Sequence, residues 1–265
     1  MSKQNKKKSK NIILFIITFL LLITAIVVGI KIAEKNNYSI EIKKKMKLSF
    51  TDGISKVKNF EDENALALGW IQIQGTNIDI PVVHASILYE DTDIDYAWLN
   101  PRYIDGDNRP VILGHNILNV SSKPLLNQKG LKNFESLMSF TYSSFAKDNQ
   151  YIQYNTLDES NLYVIYAIGF YDYDYDYQFT FDNKENVEKY VKSAKENSIY
   201  DYSVDVNGSD EIITIKTCTR YFGLNEKQQF IIDARKIRED EEILKYKVKK
   251  NKNYKELNIN DEQVN

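Results

Sequence analysis

The sequence predicts a mainly β domain that follows a single N-terminal membrane span. The β assignment rests on many short alternating runs bounded by turn residues, with only two clear helical patterns among them. This spacing favours a barrel or a sandwich over repeated β–α–β units. About 230 residues follow the apolar N-terminus, enough for one domain with a large core. The net charge of −2 gives no indication of a nucleic-acid partner.

The N-terminus has the pattern of a membrane anchor. Residues 1–10 are lysine-rich, and residues 11–30 are dominated by Ile, Leu, Phe and Val. A helix of roughly 20 residues spans about 30 Å, the thickness of a bilayer's hydrocarbon core. The lysines predict a cytoplasmic N-terminus and an extracellular domain in a single-pass protein of the cell membrane. A cleaved signal peptide is the alternative, but it would have a shorter apolar core and an A-x-A-like cleavage site.

The anchor is followed by a predicted extracellular stalk at residues 31–60 and a folded domain at residues 61–236. A strand at 70–74 and a turn at 75–77 lead to a second strand at 78–83, where Pro81 is confined to an edge, a bulge or the strand's start. Further strands are predicted at 110–115, 151–154, 162–168, 212–218 and 230–234.

Two helices interrupt these strands. Phe134, Leu137 and Met138 have helical spacing and predict a short helix. A longer amphipathic helix begins near a capping-box-like sequence at 182–185, and its apolar face contains Val187, Tyr190, Val191 and Ala194. Residues 237–265 read as a charged tail that is frayed or weakly helical.

Tyrosine and aspartate alternate over residues 171–177. The alternation predicts an edge strand with aspartates on one side, which guards against aggregation. A wall of a substrate groove is the second interpretation. We predict neither a metal ion nor another cofactor.

Cys218 is the single cysteine and ends the apolar strand at 212–218. An unpaired cysteine in an exported protein indicates a reactive thiol, although a small buried side chain is the simpler reading. Alternation places Cys218 on the same strand face as Thr214 and Lys216. His115 ends another strand between Gly114 and Asn116, and it is a candidate proton carrier. We expect the other histidine, His84, to be structural.

These motifs together resemble the sortase family. The resemblance rests on Thr217-Cys218 at a strand end, on Gly114-His115-Asn116 far upstream and on the paired strands of residues 69–83, and it covers roughly residues 60–235. The helix before the cysteine strand resembles that of class B sortases. The fold that this resemblance implies is a closed eight-stranded β-barrel with peripheral helices.

The resemblance also implies a reaction and its partners. The Cys218 thiolate would attack a threonine carbonyl in the C-terminal sorting signal of an exported protein, with His115 as acid and then base. The acyl group would pass to an amine of a peptidoglycan precursor or of a neighbouring protein. Asn116 and Thr217 would take part in substrate binding.

One position departs from the family pattern. Sortases have an arginine just before the last apolar strand, where this chain has Gln229. We expect Arg220 to supply the oxyanion contact, with Gln229 as the alternative donor. Arg235 lies too far along the strand to substitute.

Other classes fit the sequence less well. Papain-type and amidase-type cysteine hydrolases place the cysteine before the histidine, and the Ser-x-Gly-Cys context of L,D-transpeptidases is absent. A catalytically degenerate sortase-like binding module remains open because of Gln229.

Overall fold

The computed structural model describes residues 46–63, 67–84, 96–100, 109–127, 130–223 and 228–255, together with five isolated positions between 18 and 28. Residues 1–45 form a separate unit, and nearly all of it lies outside the described residues. The predicted anchor at 11–30 and its lysine-rich flank therefore lie almost wholly outside them as well. Within the part of the chain that is described, no helix is both long and apolar enough to cross a bilayer.

Eight strands close into a barrel, in the order β1-β2-β3-β4-β8-β9-β6-β5, and β5 pairs with β1. The barrel strands are β1 (Ala67–Ile73), β2 (Asp79–His84), β3 (Ala97–Leu99), β4 (Val111–Leu113), β5 (Tyr151–Asn155), β6 (Ser160–Asp172), β8 (Ile212–Cys218) and β9 (Gln228–Lys236). Two further strands, β7 (Tyr200–Tyr202) and β10 (Val248–Lys250), form a separate antiparallel pair. The closed eight-stranded barrel implied by the resemblance is confirmed.

The β1–β2 hairpin follows the sequence prediction closely. Its turn uses Gly75 at φ 75°, a left-handed backbone conformation that glycine adopts without steric cost. Pro81 pairs with Trp70 of β1, while the pairing of β2 with β3 begins only at Val82. The proline therefore stands where its missing N–H costs no hydrogen bond to β3.

In the described part of the domain, three α-helices and two 3-10 helices pack around the barrel. They are α1 (Gly53–Glu63), a 3-10 helix (Asn133–Thr141), α2 (Ser143–Asp148), a second 3-10 helix (Tyr175–Gln178) and α3 (Lys184–Asn197). The short helix predicted around Phe134 is present in the 3-10 form. The four apolar residues predicted for the long helix are the buried residues of α3, but its N-cap is Asn183, whose side chain accepts a hydrogen bond from the Asn186 N–H. The helix thus begins one residue later than a capping box at 182–185 would place it.

A buried polar network joins α3 to strands β8 and β9. Tyr190 of α3 donates a 2.8 Å hydrogen bond to Asp233 of β9, and Thr214 of β8 donates to the same carboxylate oxygen at 2.6 Å. Arg109 donates to the Thr214 hydroxyl, and its guanidinium lies 4.7 Å from the Tyr190 ring centroid. Because these groups are buried and bonded to one another, α3 covers the face of β8 that carries Thr214.

The predicted stalk is wrong for its second half. Met46 donates its backbone N–H to Ile243, and Thr51 bonds to the Gln72 side chain of β1. Val57 of α1 is fully buried against the barrel. Residues 46–60 therefore belong to the folded domain, because their few apolar side chains cover the β1–β5 side of the barrel.

The predicted frayed tail is wrong for residues 237–255. Tyr246 and Val248 are buried, and β10 pairs with β7. The Tyr151 hydroxyl donates to the Leu244 carbonyl at 2.6 Å, and the Gln150 side chain bonds to both backbone groups of Tyr246. These polar contacts fix a segment whose charged composition indicated solvent exposure.

The alternating tyrosine–aspartate segment is not one strand. Strand β6 ends at Asp172, a turn follows, and a 3-10 helix begins at Tyr175. The Tyr171 and Tyr175 rings stack at 4.1 Å, an arrangement that folds the segment back over the barrel. The predicted edge strand is therefore wrong beyond Asp172.

Candidate active site

Cys218 is the last residue of β8 and the only exposed one on that strand. The six residues before it are buried. Strand β9 pairs with β8 in antiparallel fashion and places Gln229 directly opposite Cys218. The barrel thus brings the thiol to solvent at the end of a rigid strand.

The parallel pairing of β4 with β8 brings His115 to Cys218. Leu113 pairs with Lys216, and the contact continues past the end of β4, where the Gly114 N–H donates to the Lys216 carbonyl. The Thr217 hydroxyl donates to the Gly114 carbonyl at 2.7 Å. Extending this register by two residues puts His115 beside Cys218, on strands about 4.8 Å apart.

Asn116 and Thr217 hold the two strand ends together. The Asn116 side-chain amide donates to the carbonyls of Cys218 at 3.2 Å and of Asn119 at 3.1 Å, while its oxygen accepts from the Asn119 N–H. Both side chains are buried and bonded to the backbone. The expectation that they bind substrate directly is replaced by a positioning role for each.

The loop after His115 is held by side-chain hydrogen bonds and carries exposed apolar side chains. Asn119 bonds to both backbone groups of Leu125 and to the Glu135 carbonyl, and Glu135 accepts from the Leu118 N–H. The exposed apolar residues of this loop are Ile117, Leu118, Leu125 and Leu126. These four residues form an apolar rim on the loop that follows His115 in the chain.

The protein influences the ionisation of the thiol in two opposing ways. Burial by the surrounding atoms displaces water and raises the pKa of Cys218, although part of the side chain reaches solvent. The positive charges of Lys216 and then Arg220 act in the opposite direction. The thiolate therefore depends on neighbouring cations for its stability.

The two histidines occupy different settings. His115 is half-buried, and its ring lies 4.8 Å from the Trp98 ring. His84 ends β2 opposite Leu99, which in turn pairs with Ile112. His84 is thus two strands away from β4, at the level of Ile112 and not of His115. This distance from His115 agrees with a structural role. Among the described residues, no group of three or more His, Cys, Asp or Glu side chains is arranged to hold a metal ion.

Comparisons with known proteins were made by sequence and by structure. No family model matches the chain. It is 22% identical to "Sortase B" of Staphylococcus aureus over 236 residues, which cover 83% of this chain and 95% of that protein. A solved Clostridium perfringens sortase B superposes with a TM-score of 0.55 at 24% identity, covering 68% of this chain and 99% of that one. A Staphylococcus aureus sortase B–substrate complex gives a TM-score of 0.56 at 17% identity, covering 70% of this chain and 86% of that one.

The structural likeness shows the shared barrel, and the sequence similarity extends over nearly the whole relative. The chain is similar to sortases both in sequence and in its barrel. Both relatives found by sequence are named Sortase B, and this similarity supports a cysteine transpeptidase.

The structure accounts for Gln229, which replaces the usual sortase arginine. Its side chain is buried, and its amide nitrogen donates to the carbonyls of Asp172 at 2.9 Å and of Tyr173 at 3.1 Å. An amide nitrogen has two hydrogens to donate. Both are engaged, so Gln229 does not act as an oxyanion donor in this arrangement.

The other two candidate arginines, Arg220 and Arg235, differ in exposure and in their position relative to Cys218. Arg220 is exposed in the turn after β8, and its backbone N–H donates to Val120. Arg235 is buried at the far end of β9 and ion-pairs with Glu241. It is thus remote from the thiol, as expected from its position along the strand.

Sequence reasoning placed Lys216 on the cysteine's face of the strand without assigning it a role. In the structure Lys216 is only 2% exposed, and it lies two positions before Cys218 on the same strand face. The alternation that placed Cys218 on this face of β8 also placed Lys216 there. The sequence did not show that other residues bury the lysine.

Proposed function

We propose that this chain is a sortase that cleaves a C-terminal sorting signal after threonine and transfers the new carboxyl terminus to an amine of a cell-wall precursor. The observation that carries the proposal is the convergence of Cys218 and His115 at the joined ends of β8 and β4. The thiol is exposed and the loop after His115 carries an apolar rim, which suits an extended peptide with apolar residues before the scissile bond.

The residues divide the reaction between them. The Cys218 thiolate attacks the threonine carbonyl carbon, and the carbon–nitrogen bond of the scissile amide breaks to leave a thioester. Protonated His115 gives its proton to the departing amine. In the second half, neutral His115 takes a proton from the incoming amine, which attacks the thioester and releases the thiolate. Arg220, at the rim of the site, is the proposed donor to the oxyanion formed in each half.

A membrane position suits this chemistry. If residues 11–30 anchor the chain with residues 1–10 in the cytoplasm, the domain lies on the outer surface with the exported substrate and a lipid-linked acceptor. A shared surface raises the effective concentration of all three components.

A panel of fluorogenic sorting peptides with threonine at the cleavage site, with and without an amine acceptor, tests the proposal. Cys218→Ala and His115→Ala should each lose essentially all turnover, while His84→Ala should keep most of it. Unchanged melting temperatures would show that the variants are folded. Substantial turnover by Cys218→Ala, or a loss confined to His84→Ala, would refute the assignment.

The buried Gln229 supports a second candidate, a sortase barrel that binds sorting peptides without cleaving them. The same panel separates the two, because this candidate gives peptide binding in a fluorescence anisotropy titration and no product with any amine.

A further inference from the structure

Lys216 is a buried cation close to the reactive thiol. It lies two residues before Cys218 on the same face of β8, a separation of roughly 6.6 Å along a strand. Its side chain is 2% exposed. Lysine is rarely this buried in proteins.

Two tyrosines cover the lysine. The Lys216 Nζ lies 5.3 Å from the ring centroid of Tyr177 and 5.9 Å from that of Tyr173. At these distances the faces of aromatic rings attract an ammonium group. The tyrosines come from the segment after β6, the same segment that departs from the predicted edge strand.

Gln229 fixes this cover in place. Its amide donates to the carbonyls of Asp172 and Tyr173, at the point where the chain leaves β6. Gln229 is also the residue directly opposite Cys218. One side chain therefore links the position of the family's arginine to the segment that shields Lys216 from water.

We propose that Lys216 is the positioning cation that favours the thiolate form of Cys218, with Gln229 holding the Tyr173–Tyr177 segment over it. This inference rests on the proposed role of Cys218 as nucleophile. Shielding from water matters because a charge exerts a stronger effect across a low-dielectric region than through solvent. The buried cation thus supplies charge next to the thiol at a strand position other than that of the usual arginine.

Several ionisable groups surround the thiol, and the experiment must separate them. On the neighbouring elements they are His115 beyond β4, Arg220 in the turn after β8, Tyr173 and Tyr177 after β6, and the exposed Asp172 and Asp174. Arg220 also favours the thiolate, but it is exposed to solvent and salt. A change in the thiol's pKa in a Lys216 variant is therefore compared with the change in an Arg220 variant.

The test is the pH dependence of the rate at which iodoacetamide alkylates Cys218 in the full chain. Lys216→Met should raise the thiol's pKa by about one unit, the lower end of the effect of an adjacent opposite charge. Lys216→Arg should restore a value near that of the wild type, and Arg220→Met should give a smaller rise that disappears at high salt. Lys192→Met, at an α3 lysine with 77% side-chain exposure, is the matched control and should leave the profile unchanged.

A second variant keeps the test decisive if Lys216→Met does not fold. Removing both covering rings in Tyr173→Leu/Tyr177→Leu admits water to the lysine and should also raise the thiol's pKa, by less than the loss of the charge. An unchanged alkylation profile in either folded variant would overturn the proposal. Alkylation needs no substrate, so this result is independent of whether the sorting peptides are cleaved.

Discussion

The ion pair between Arg235 and Glu241 gives the sharpest prediction about how the C-terminal segment stabilises the barrel. Arg235 of β9 is 1% exposed, and its two terminal nitrogens each donate to a Glu241 oxygen at 2.6 Å. Tyr246 and the Arg238 backbone donate to the same carboxylate. Glu241→Gln preserves the volume but removes the charge and places an amide beside a buried guanidinium.

Breaking a buried ion pair from one side costs about 3–5 kcal/mol. Arg235 keeps its bonds to the carbonyls of Asp205 and Lys236, and Glu241 is 18% exposed, so part of the cost is relieved. We expect Glu241→Gln to lower the free energy of unfolding by about 2–3 kcal/mol. With a urea dependence of about 2–3 kcal/mol per molar, the midpoint should fall by roughly 1 M.

The difference in the free energy of unfolding between the wild type and Glu241→Gln should also depend on pH. Burial opposes ionisation of the Glu241 carboxyl, but hydrogen bonds from Arg235 and Tyr246 outweigh it and lower its pKa to about 2. Because the folded pKa lies below the unfolded one, this stabilisation is complete above about pH 4.5 and is lost as the pH falls towards 2. Urea unfolding followed by tryptophan fluorescence at pH 7 and at pH 3 measures both effects, with exposed Glu239→Gln as the control. A midpoint within 0.2 M of the wild type at pH 7, where 0.2 M corresponds to about 0.5 kcal/mol, would refute this account of the segment.

Two further predictions concern the position of His115 and the N-terminus. A Cβ at Gly114 would overlap the buried Phe134 ring, so Gly114→Ala should displace the end of β4, cost about 1–3 kcal/mol and lower kcat/KM at least tenfold. A variant with wild-type kinetics would show that His115 does not depend on this contact. In intact cells, added protease should reach the domain but not residues 1–10, and recovery from the medium of a mature protein that lacks residues 1–30 would contradict the proposed anchor.

The periodicity of apolar residues in the sequence predicted the helices and strands that bury one face against the core. The long helix is the clearest case, because its i, i+3, i+4 and i+7 spacing identified all four buried residues of α3. The β1–β2 hairpin was likewise predicted from the alternation of its strands and from its turn at Gly75. In both elements the signal lies within a few neighbouring residues.

The site required information that no local pattern contains. The contact between Thr217 and Gly114 joins residues 103 positions apart, and only the family resemblance placed His115 beside Cys218. Alternation separated the two faces of β8, but it did not show that α3 and the Tyr173–Tyr177 segment cover the outer one. Lys216 was consequently left without a role, and Asn116 was assigned to substrate although it holds the Cys218 carbonyl.

The C-terminal segment was misjudged for a related reason. Its residues are mostly charged, and composition alone indicates solvent exposure. The structure fixes it through polar contacts with distant residues, such as those of Tyr151 and Gln150. Such contacts depend on the tertiary arrangement and leave no periodic signal in the sequence.

The most direct test of the central claim is the mass of the enzyme trapped with a sorting peptide in the absence of an amine acceptor. The account predicts one adduct equal in mass to the peptide up to its threonine, mapped to the fragment containing Cys218, removed by hydroxylamine and absent from Cys218→Ala. Peptide cleavage without such an adduct, or an adduct on another residue, would contradict it.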